Sequence, residues 1–326
     1  MSINPKKCEI GCDSFNFAMI IDGANPEDYM ETVSLKTTQG SEFGSVGIKG
    51  GKVCINFCLP KVIWKHNRIP FGIAGMAKLS HVVNEIELAL EQTLEGRVDD
   101  NIDVLSASAR KIECNLTQWV ADGCTCSHVI NLLNRSHHEG TNLLYQRASS
   151  GCKFLKEDES AIIKKLNCYV LKCYDKSLEQ RKRFNPEIDD GLLRIEVVML
   201  DRVLKKLFPD ERTIRDILTE QGLMKVFEEY KRIFVEDILR GYIRPCLKGI
   251  TNILFESLKE TGSPVETISY HKELIVDEEV LRKALKKWYE YDGRPDSSRQ
   301  RIYDLKIYGF PKGAIQTLKN FQLACG

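Results

Sequence analysis

No stretch of this 326-residue chain reaches the ~18 consecutive apolar residues of a membrane span. The start, Met1-Ser2-Ile3-Asn4-Pro5, carries no apolar leader, so a cytoplasmic protein without membrane contact is the expectation. Paired C-x2-C sets are missing too, although there are twelve cysteines: Cys8 and Cys12 are spaced C-x3-C, as are Cys54 and Cys58, and Cys124 and Cys126 are C-x-C. That spacing argues against structural zinc. In a reducing compartment these are free thiols, and Cys54, Cys114, Cys168 and Cys173 fall in strand-like runs where a thiol serves as a small buried hydrophobe. A phosphate loop of the G-x4-G-K-S/T type is absent, so nothing points to nucleotide hydrolysis. There are no internal repeats and no low-complexity tracts. Net charge is only +1, and the chain as a whole does not announce a polyanionic partner.

The charge is unevenly placed. From Lys164 to Arg183 there are seven basic residues against two acidic ones, and from Arg282 to Lys319 ten against four. Basic segments in a neutral chain suit a localised electropositive surface, although solvated helix faces give the same pattern. Hydrophobic content of 43% over this length supports one large core or two modest ones.

Residues 16–21 and 52–57 read as strands, with Gly50-Gly51 as a tight turn before the second. Residues 75–94 repeat apolar side chains at helical spacing, with Gly96 as the C-cap. Residues 111–116 alternate, with Lys111, Glu113 and Asn115 on one face. A short helix is expected over 125–134 and a hairpin with loops over 134–160. Strands follow at 167–174 and 192–199, joined by a charged helical segment over 177–190. Beyond Pro209 the pattern becomes helical, over 210–218, 223–239, 245–259 and 276–289, with breaks at Gly222, Gly241 and Gly262-Ser263-Pro264 and with Asp277 as a cap. A last basic helix runs from Arg299 to about Tyr308, capped by Ser297 or Ser298. The fold class is therefore α+β. A mainly antiparallel sheet with packed helices occupies 1–208, and an all-helical half with a helix-turn-helix-like element occupies 209–326.

Chemistry concentrates between Tyr169 and Glu196. Read by alternation, Lys172, Tyr174 and Lys176 share one strand face, and Arg194 and Glu196 share a face of another. A tyrosine beside lysine, arginine and carboxylates suits covalent phosphotyrosine chemistry assisted by a metal ion. Tyr174 is the candidate nucleophile. Tyr169 competes, but its parity sets it opposite Lys172 and Lys176. Glu113 and Glu196 are candidate ligands for Mg²⁺ or Mn²⁺, which prefer carboxylate oxygens and keep several waters. The same glutamates also suit pairing with a neighbouring lysine or arginine. Arg194 is placed to clamp a phosphate oxygen. Glu179 suits a structural partner for a lysine, and His137, His138 and Glu139 read as loop surface.

Four segments resemble the filamentous phage gene II replication initiators, relatives of plasmid rolling-circle initiators. Asn56-Phe57-Cys58-Leu59-Pro60-Lys61-Val62 with Lys65-His66-Asn67 is similar to the family's N-P-x-K-F-x-x-G-H-N stretch. Arg110-Lys111-Ile112-Glu113 resembles its R-x-D/E strand. Tyr174-Asp175-Lys176 with Glu179, then Leu193-Arg194-Ile195-Glu196, resemble its Y-x-K-x-x-E and L-R-x-E elements. Trp288, Arg299-Gln300-Arg301-Ile302-Tyr303 and Tyr308-Gly309 resemble its carboxy-terminal segment. The chain departs from the pattern at Glu113, where the family usually has aspartate, at Lys65, which replaces a glycine, and at Phe310-Pro311, which replaces an I-D pair. The His-hydrophobe-His triplet of the wider HUH nickase group is absent.

The resemblance implies a rolling-circle DNA replication initiator. Such a protein binds a double-stranded origin and nicks one strand by metal-dependent tyrosine chemistry. It stays joined to the 5′ phosphate and later closes the strand. Tyr174, Lys176 and Arg194 would be catalytic, with Glu113 and Glu196 on the metal. Arg299, Arg301, Tyr303 and Lys306 would meet DNA on a basic helix. Double- and single-stranded origin DNA would be the partners, with a host helicase and polymerase as further possible ones. Two rivals stay open. One is a non-enzymatic origin-binding or repressor protein. The other is a tyrosine recombinase, which needs a late tyrosine on a helical domain.

Overall fold

Alternating apolar side chains, two residues apart, give the sheet one apolar face, which joins the helices in a shared core. The structure is a computed structural model that describes residues 9–20, 29–65, 70–95, 103–135, 145–147, 159–165, 167–183, 189–210 and 212–325. Among them the strands are β1 (Gly11–Ile20), β2 (Tyr29–Lys36), β3 (Glu42–Lys49), β4 (Lys52–Cys58), β5 (Ser108–Trp119), β6 (Tyr145–Arg147), β7 (Ser160–Lys165), β8 (Tyr169–Asp175) and β9 (Leu192–Leu200). They form one antiparallel sheet in the order β2-β3-β4-β1-β5-β9-β8-β7-β6. Phe15 pairs with Phe57 on one side and Ile112 on the other, so these three point the same way, and the rings of Phe15, Phe17 and Phe57 stack with centroids 5.5–6.0 Å apart. Gly50 and Gly51 take φ of 58° and 68° in the turn between β3 and β4, a conformation that favours glycine.

Helices cover the apolar face. In the first half these are α1 (Leu59–Trp64), α2 (Leu79–Leu94), α3 (Cys126–Arg135), α4 (Lys176–Arg183) and α5 (Asp201–Leu207). After them come α6 (Ile214–Ile217), α7 (Glu220–Arg232), α8 (Arg244–Thr261), α9 (Pro264–His271), α10 (Glu278–Tyr291), α11 (Ser298–Asp304) and α12 (Ala314–Ala324). The fold is α+β, with the antiparallel sheet in the N-terminal half and helices in the C-terminal half. Packing runs across residue 208. Tyr230 of α7 donates to the Ile195 carbonyl oxygen at 2.9 Å, and Phe234 meets Phe321 of α12 edge-on at 6.3 Å. One continuous apolar cluster joins sheet and helices.

The expected break at Gly241 does not occur. From Glu220 to Thr261 the chain stays helical, with a π-helical segment Ile233–Ile243 between α7 and α8. Pro245 has no N–H to donate, and its ring would crowd the carbonyl four residues back. The wider pattern accommodates it: the Arg244 N–H reaches the Leu239 carbonyl, five residues back. Gly222, also expected to break the chain, lies in the first turn of α7. A Cβ there would stand 2.4 Å from the Asp216 carbonyl oxygen. The break at Gly262 is present, with φ of 63° and Ser263 capping α9. Gly96 lies outside the described residues.

Candidate active site

The opposite face of the sheet is polar, and register explains why. Across β5 and β9, Asn115 faces Glu196 and Thr117 faces Arg194; across β9 and β8, Glu196 faces Lys172 and Arg194 faces Tyr174. Glu113, two residues before Asn115, shares this face. Three neighbouring strands thus bring Glu113, Lys172, Tyr174, Arg194 and Glu196 to one side. Lys176 is a correction to the strand reading. It is the first residue of α4, where Leu178 N–H bonds the Asp175 carboxylate and turns the chain into a helix. Its ammonium still comes within 5.9 Å of the Tyr174 ring centroid, and it pairs with Glu179 at 2.7 Å.

The charges interlock. Lys172 Nζ lies 2.5 Å from Glu196 Oε1 and 3.6 Å from Glu113 Oε1, and Lys111 Nζ reaches Glu113 at 2.5 Å. The Tyr174 hydroxyl donates to the other Glu196 oxygen, Oε2, at 3.3 Å. Arg194 is fully buried. Its Nε donates to Thr117 Oγ1 at 2.7 Å and its NH1 to Asp13 Oδ2 at 3.1 Å. The guanidinium is engaged inside the sheet and stands as a positive charge beside Tyr174.

Burial and these partners set the protonation states. Burial and the Glu196 carboxylate push the Tyr174 phenol well above its ordinary value. Burial, with the neighbouring Glu113 carboxylate, also raises Glu196, against the pull of Lys172. For Glu113 burial is outweighed by the Lys172 and Lys111 ammonium groups, and its carboxyl lies below the usual range. Burial and the nearby Arg194 guanidinium lower Lys176 to about 8. The tyrosine is therefore held as a phenol whose hydroxyl hydrogen-bonds to Glu196.

Two carboxylates converge here on one cationic point, which the Lys172 ammonium occupies. That donor set fits a small divalent ion, which binds through one or two carboxylates and retains water. Among the described residues there is no group of three or more His, Cys, Asp or Glu side chains able to hold a metal. Beside Glu113 a cleft of about 280 Å³ opens, lined by Ser14, Asn16, Ser45, Asn56 and Lys111. Side-chain exposure rises toward it, from 6% at Glu196 to 14% at Glu113 and 43% at Lys111.

Sequence reasoning missed Asp13 and Thr117. Asp13 sits where the β1–β5 register slips between Cys12 and Phe15, a bulge that no parity count reveals. The available signal was a lone carboxylate between Cys12 and Phe15. Tyr169 is on the helix-covered side, its hydroxyl 3.1 Å from Asp237. His66, Asn67, His137, His138 and Glu139 lie outside the described residues. The carboxy-terminal residues are on a separate element that packs on α10. There Arg299, Tyr303 and Lys306 are exposed, Arg301 is half-buried, and Lys306 Nζ stands 4.6 Å from the Tyr303 ring centroid. α11 ends at Asp304 and passes into a tighter turn over Leu305–Tyr308. Its start is held by Asp296, which accepts the Ser298 N–H at 3.0 Å, and not by a serine hydroxyl.

No protein-family model matches the sequence, and no curated protein matches it. Among solved structures the chain is similar to the rolling circle replication initiator protein from Geobacillus stearothermophilus. Identity is 9% and the TM-score 0.28, over 61% of this chain and 77% of that one. A likeness that shallow carries no argument about this chain. Among the described residues no helix is long and apolar enough to cross a membrane.

Proposed function

We propose that this chain is a rolling-circle replication initiator that nicks and closes one DNA strand through Tyr174. The observation that carries the reading is the Tyr174 hydroxyl, hydrogen-bonded to Glu196 and facing Arg194, on a sheet face that also holds Glu113 and Lys172. The four segments that resemble the gene II initiators support it, since three of them contribute residues to this face.

In the proposed reaction Glu196 Oε2 takes the phenol proton. The Tyr174 oxygen bonds to phosphorus and the bond from phosphorus to the 3′ oxygen breaks. The 5′ phosphate stays on tyrosine, and the 3′ oxygen leaves with a proton from Lys176, whose lowered pKa suits donation near neutral pH. Arg194 is a positive charge fixed beside the phenolate as it forms. Glu113 and Glu196 Oε1 would hold Mg²⁺ or Mn²⁺ once Lys172 swings aside. The ion would supply Lewis-acid neutralisation of the phosphate. Closing reverses these steps, and the phosphotyrosyl bond conserves the phosphodiester energy without ATP. A helicase and a polymerase of the host would act on the opened strand.

A gel of supercoiled plasmid carrying the cognate origin, with Mg²⁺ and with EDTA, tests the whole reading. One observation favours a second reading, an origin-binding or repressor protein whose sheet is a scaffold: Tyr174 is only 7% exposed. Origin binding without nicking on that gel would establish it.

Glu113→Gln and Glu196→Gln should each cut nicking severely, Glu196→Gln by about 10²–10⁴-fold as a lost general base, and EDTA should stop the wild type. Glutamine keeps the size and removes the charge. Full nicking in EDTA would remove the ion from the mechanism. Arg299→Ala with Arg301→Ala should weaken binding of origin duplex more than cleavage of a single-stranded oligonucleotide, because α11 lies outside the sheet. If the arginines touch phosphates, the salt slope of binding falls by about one per contact. Equal loss on both substrates would make α11 a support of the catalytic fold.

A further inference from the structure

A cluster of cations outside the sheet lines a groove between α8 and α10. Arg244 and Lys248 come from α8, and Lys283, Lys286 and Lys287 from α10. With Glu290 as the one carboxylate, they surround a cavity of about 470 Å³. The acidic partners of these lysines are distant: Lys283 to Glu279 is 3.9 Å and Lys286 to Glu290 is 3.7 Å, exposed pairs of little energetic weight. Lys287 donates to a neutral group, Asn252, at 2.9 Å. Positive charge is therefore concentrated here and weakly compensated.

The groove leads to an aromatic end. Asn252 lies beside Lys287 and Phe255 beside Tyr291, so α8 and α10 run side by side in the same direction. The line from Arg244 to Lys259 follows α8 for about 22 Å at 1.5 Å per residue. At its far end Phe255 and Tyr291 meet edge-on at 6.0 Å. Lys259 stands 5.1 Å from the Tyr291 ring and 5.4 Å from that of Phe255, and Tyr291 is 65% exposed. A cationic channel ending on an exposed ring is the chemistry that holds phosphates in a row and stacks a base. A stacking ring at the end of a phosphate track suits a single strand, whose bases are unpaired and free to stack, and not a duplex.

We infer that the α8–α10 groove is a binding track for single-stranded DNA, with phosphates on Arg244, Lys248 and Lys287 and a base on Tyr291. The inference rests on the reading of the chain as a DNA-nicking initiator, in which the opened strand has to be held after cutting. It adds a surface separate from both the sheet face and α11.

The test uses the full chain and a fluorescein-labelled oligothymidylate, with binding followed by anisotropy across a salt series. Arg244→Gln, Lys248→Gln and Lys287→Gln together should make the slope of log K against log salt shallower by about 2, three contacts at about 0.7 each. Tyr291→Ala should weaken binding about tenfold with little change in slope. The charge-conserving set Arg244→Lys, Lys248→Arg and Lys287→Arg should retain the wild-type slope, which separates charge from a folding defect. A hairpin duplex of equal phosphate number should compete poorly. An unchanged slope in the glutamine variant, or a hairpin that competes as well as the single strand, overturns the track. If the wild-type chain nicks its origin while the glutamine variant binds oligothymidylate like the wild type, the groove inference alone fails. If the wild type neither nicks nor binds any DNA, both fall.

Discussion

Tyr174→Phe is expected to abolish nicking and covalent capture of DNA while leaving binding of the origin duplex within a few-fold. The substitution removes one oxygen. That oxygen would be the nucleophile; around it Lys172 and Lys176 are paired with carboxylates, and Glu196 accepts the phenol proton. Loss of a covalent route leaves binding energy elsewhere intact, which is why affinity should hold while product disappears. The structural consequence is small. The hydrogen bond lost, at 3.3 Å, is long, and its net worth is about 1 kcal/mol or less. The measurement is a denaturing gel of labelled origin DNA, on which a protein–DNA adduct migrates as a separate band, beside a binding curve for the same protein. A covalent band in the Phe variant would exclude Tyr174. Tyr169 would be a poor substitute, because it is 1% exposed on the helix-covered side and bonded to Asp237.

Much of this face was legible because strand periodicity is simple. Lys111, Glu113 and Asn115 alternate with Ile112 and Cys114, and the same rule puts Arg194 and Glu196 together between Leu193, Ile195 and Val197. Alternation cannot say which strands become neighbours. The register of β5, β9 and β8 joined Glu113 to Lys172 across β9, and only the folded sheet shows that the lysine stands between two carboxylates. Parity failed where the chain left the strand. Lys176 has the right parity for the face but begins α4, because Asp175 can cap a helix as readily as it can extend a strand. β2 and β3 went unread, since Thr37, Thr38, Gln39 and Gly40 dilute the pattern of Val33 and Leu35 with Val46 and Ile48. Gly241 misled for the opposite reason. A glycine weakens a helix by about 1 kcal/mol, and burial of Ile238, Leu239, Tyr242 and Ile243 around it outweighs that cost. Cys114 and Cys173 are buried as expected of small hydrophobes, whereas Cys54 is exposed and Cys168 half-buried.

Asp13→Asn is expected to destabilise the fold by about 3–5 kcal/mol, the largest stability effect of any single charge on this face. Arg194 has no exposure, and Asp13 is the carboxylate bonded to its guanidinium. Asparagine matches the shape but has one acceptor oxygen where Asp13 uses two, Oδ1 for Cys58 Sγ at 3.1 Å and Oδ2 for Arg194, so the negative charge and one hydrogen bond are lost together. A guanidinium cannot shed its proton to escape an apolar setting, unlike a lysine, and the charge left behind loses its bonded carboxylate while Thr117, Tyr174, Glu196 and Glu179 stay nearby. The double variant Asp13→Asn with Arg194→Met separates the pair from its cost of burial. Removing both charges should recover most of the loss, because a buried ion pair is often no better than an apolar replacement of similar volume. Urea unfolding of the two single variants and the double variant gives the coupling energy directly. A loss under about 1 kcal/mol in Asp13→Asn would mean that the remaining partners hold the guanidinium unaided. In that case Arg194 would stay inside the sheet without Asp13, and its fixed charge beside Tyr174 would rest on Thr117 and its other neighbours.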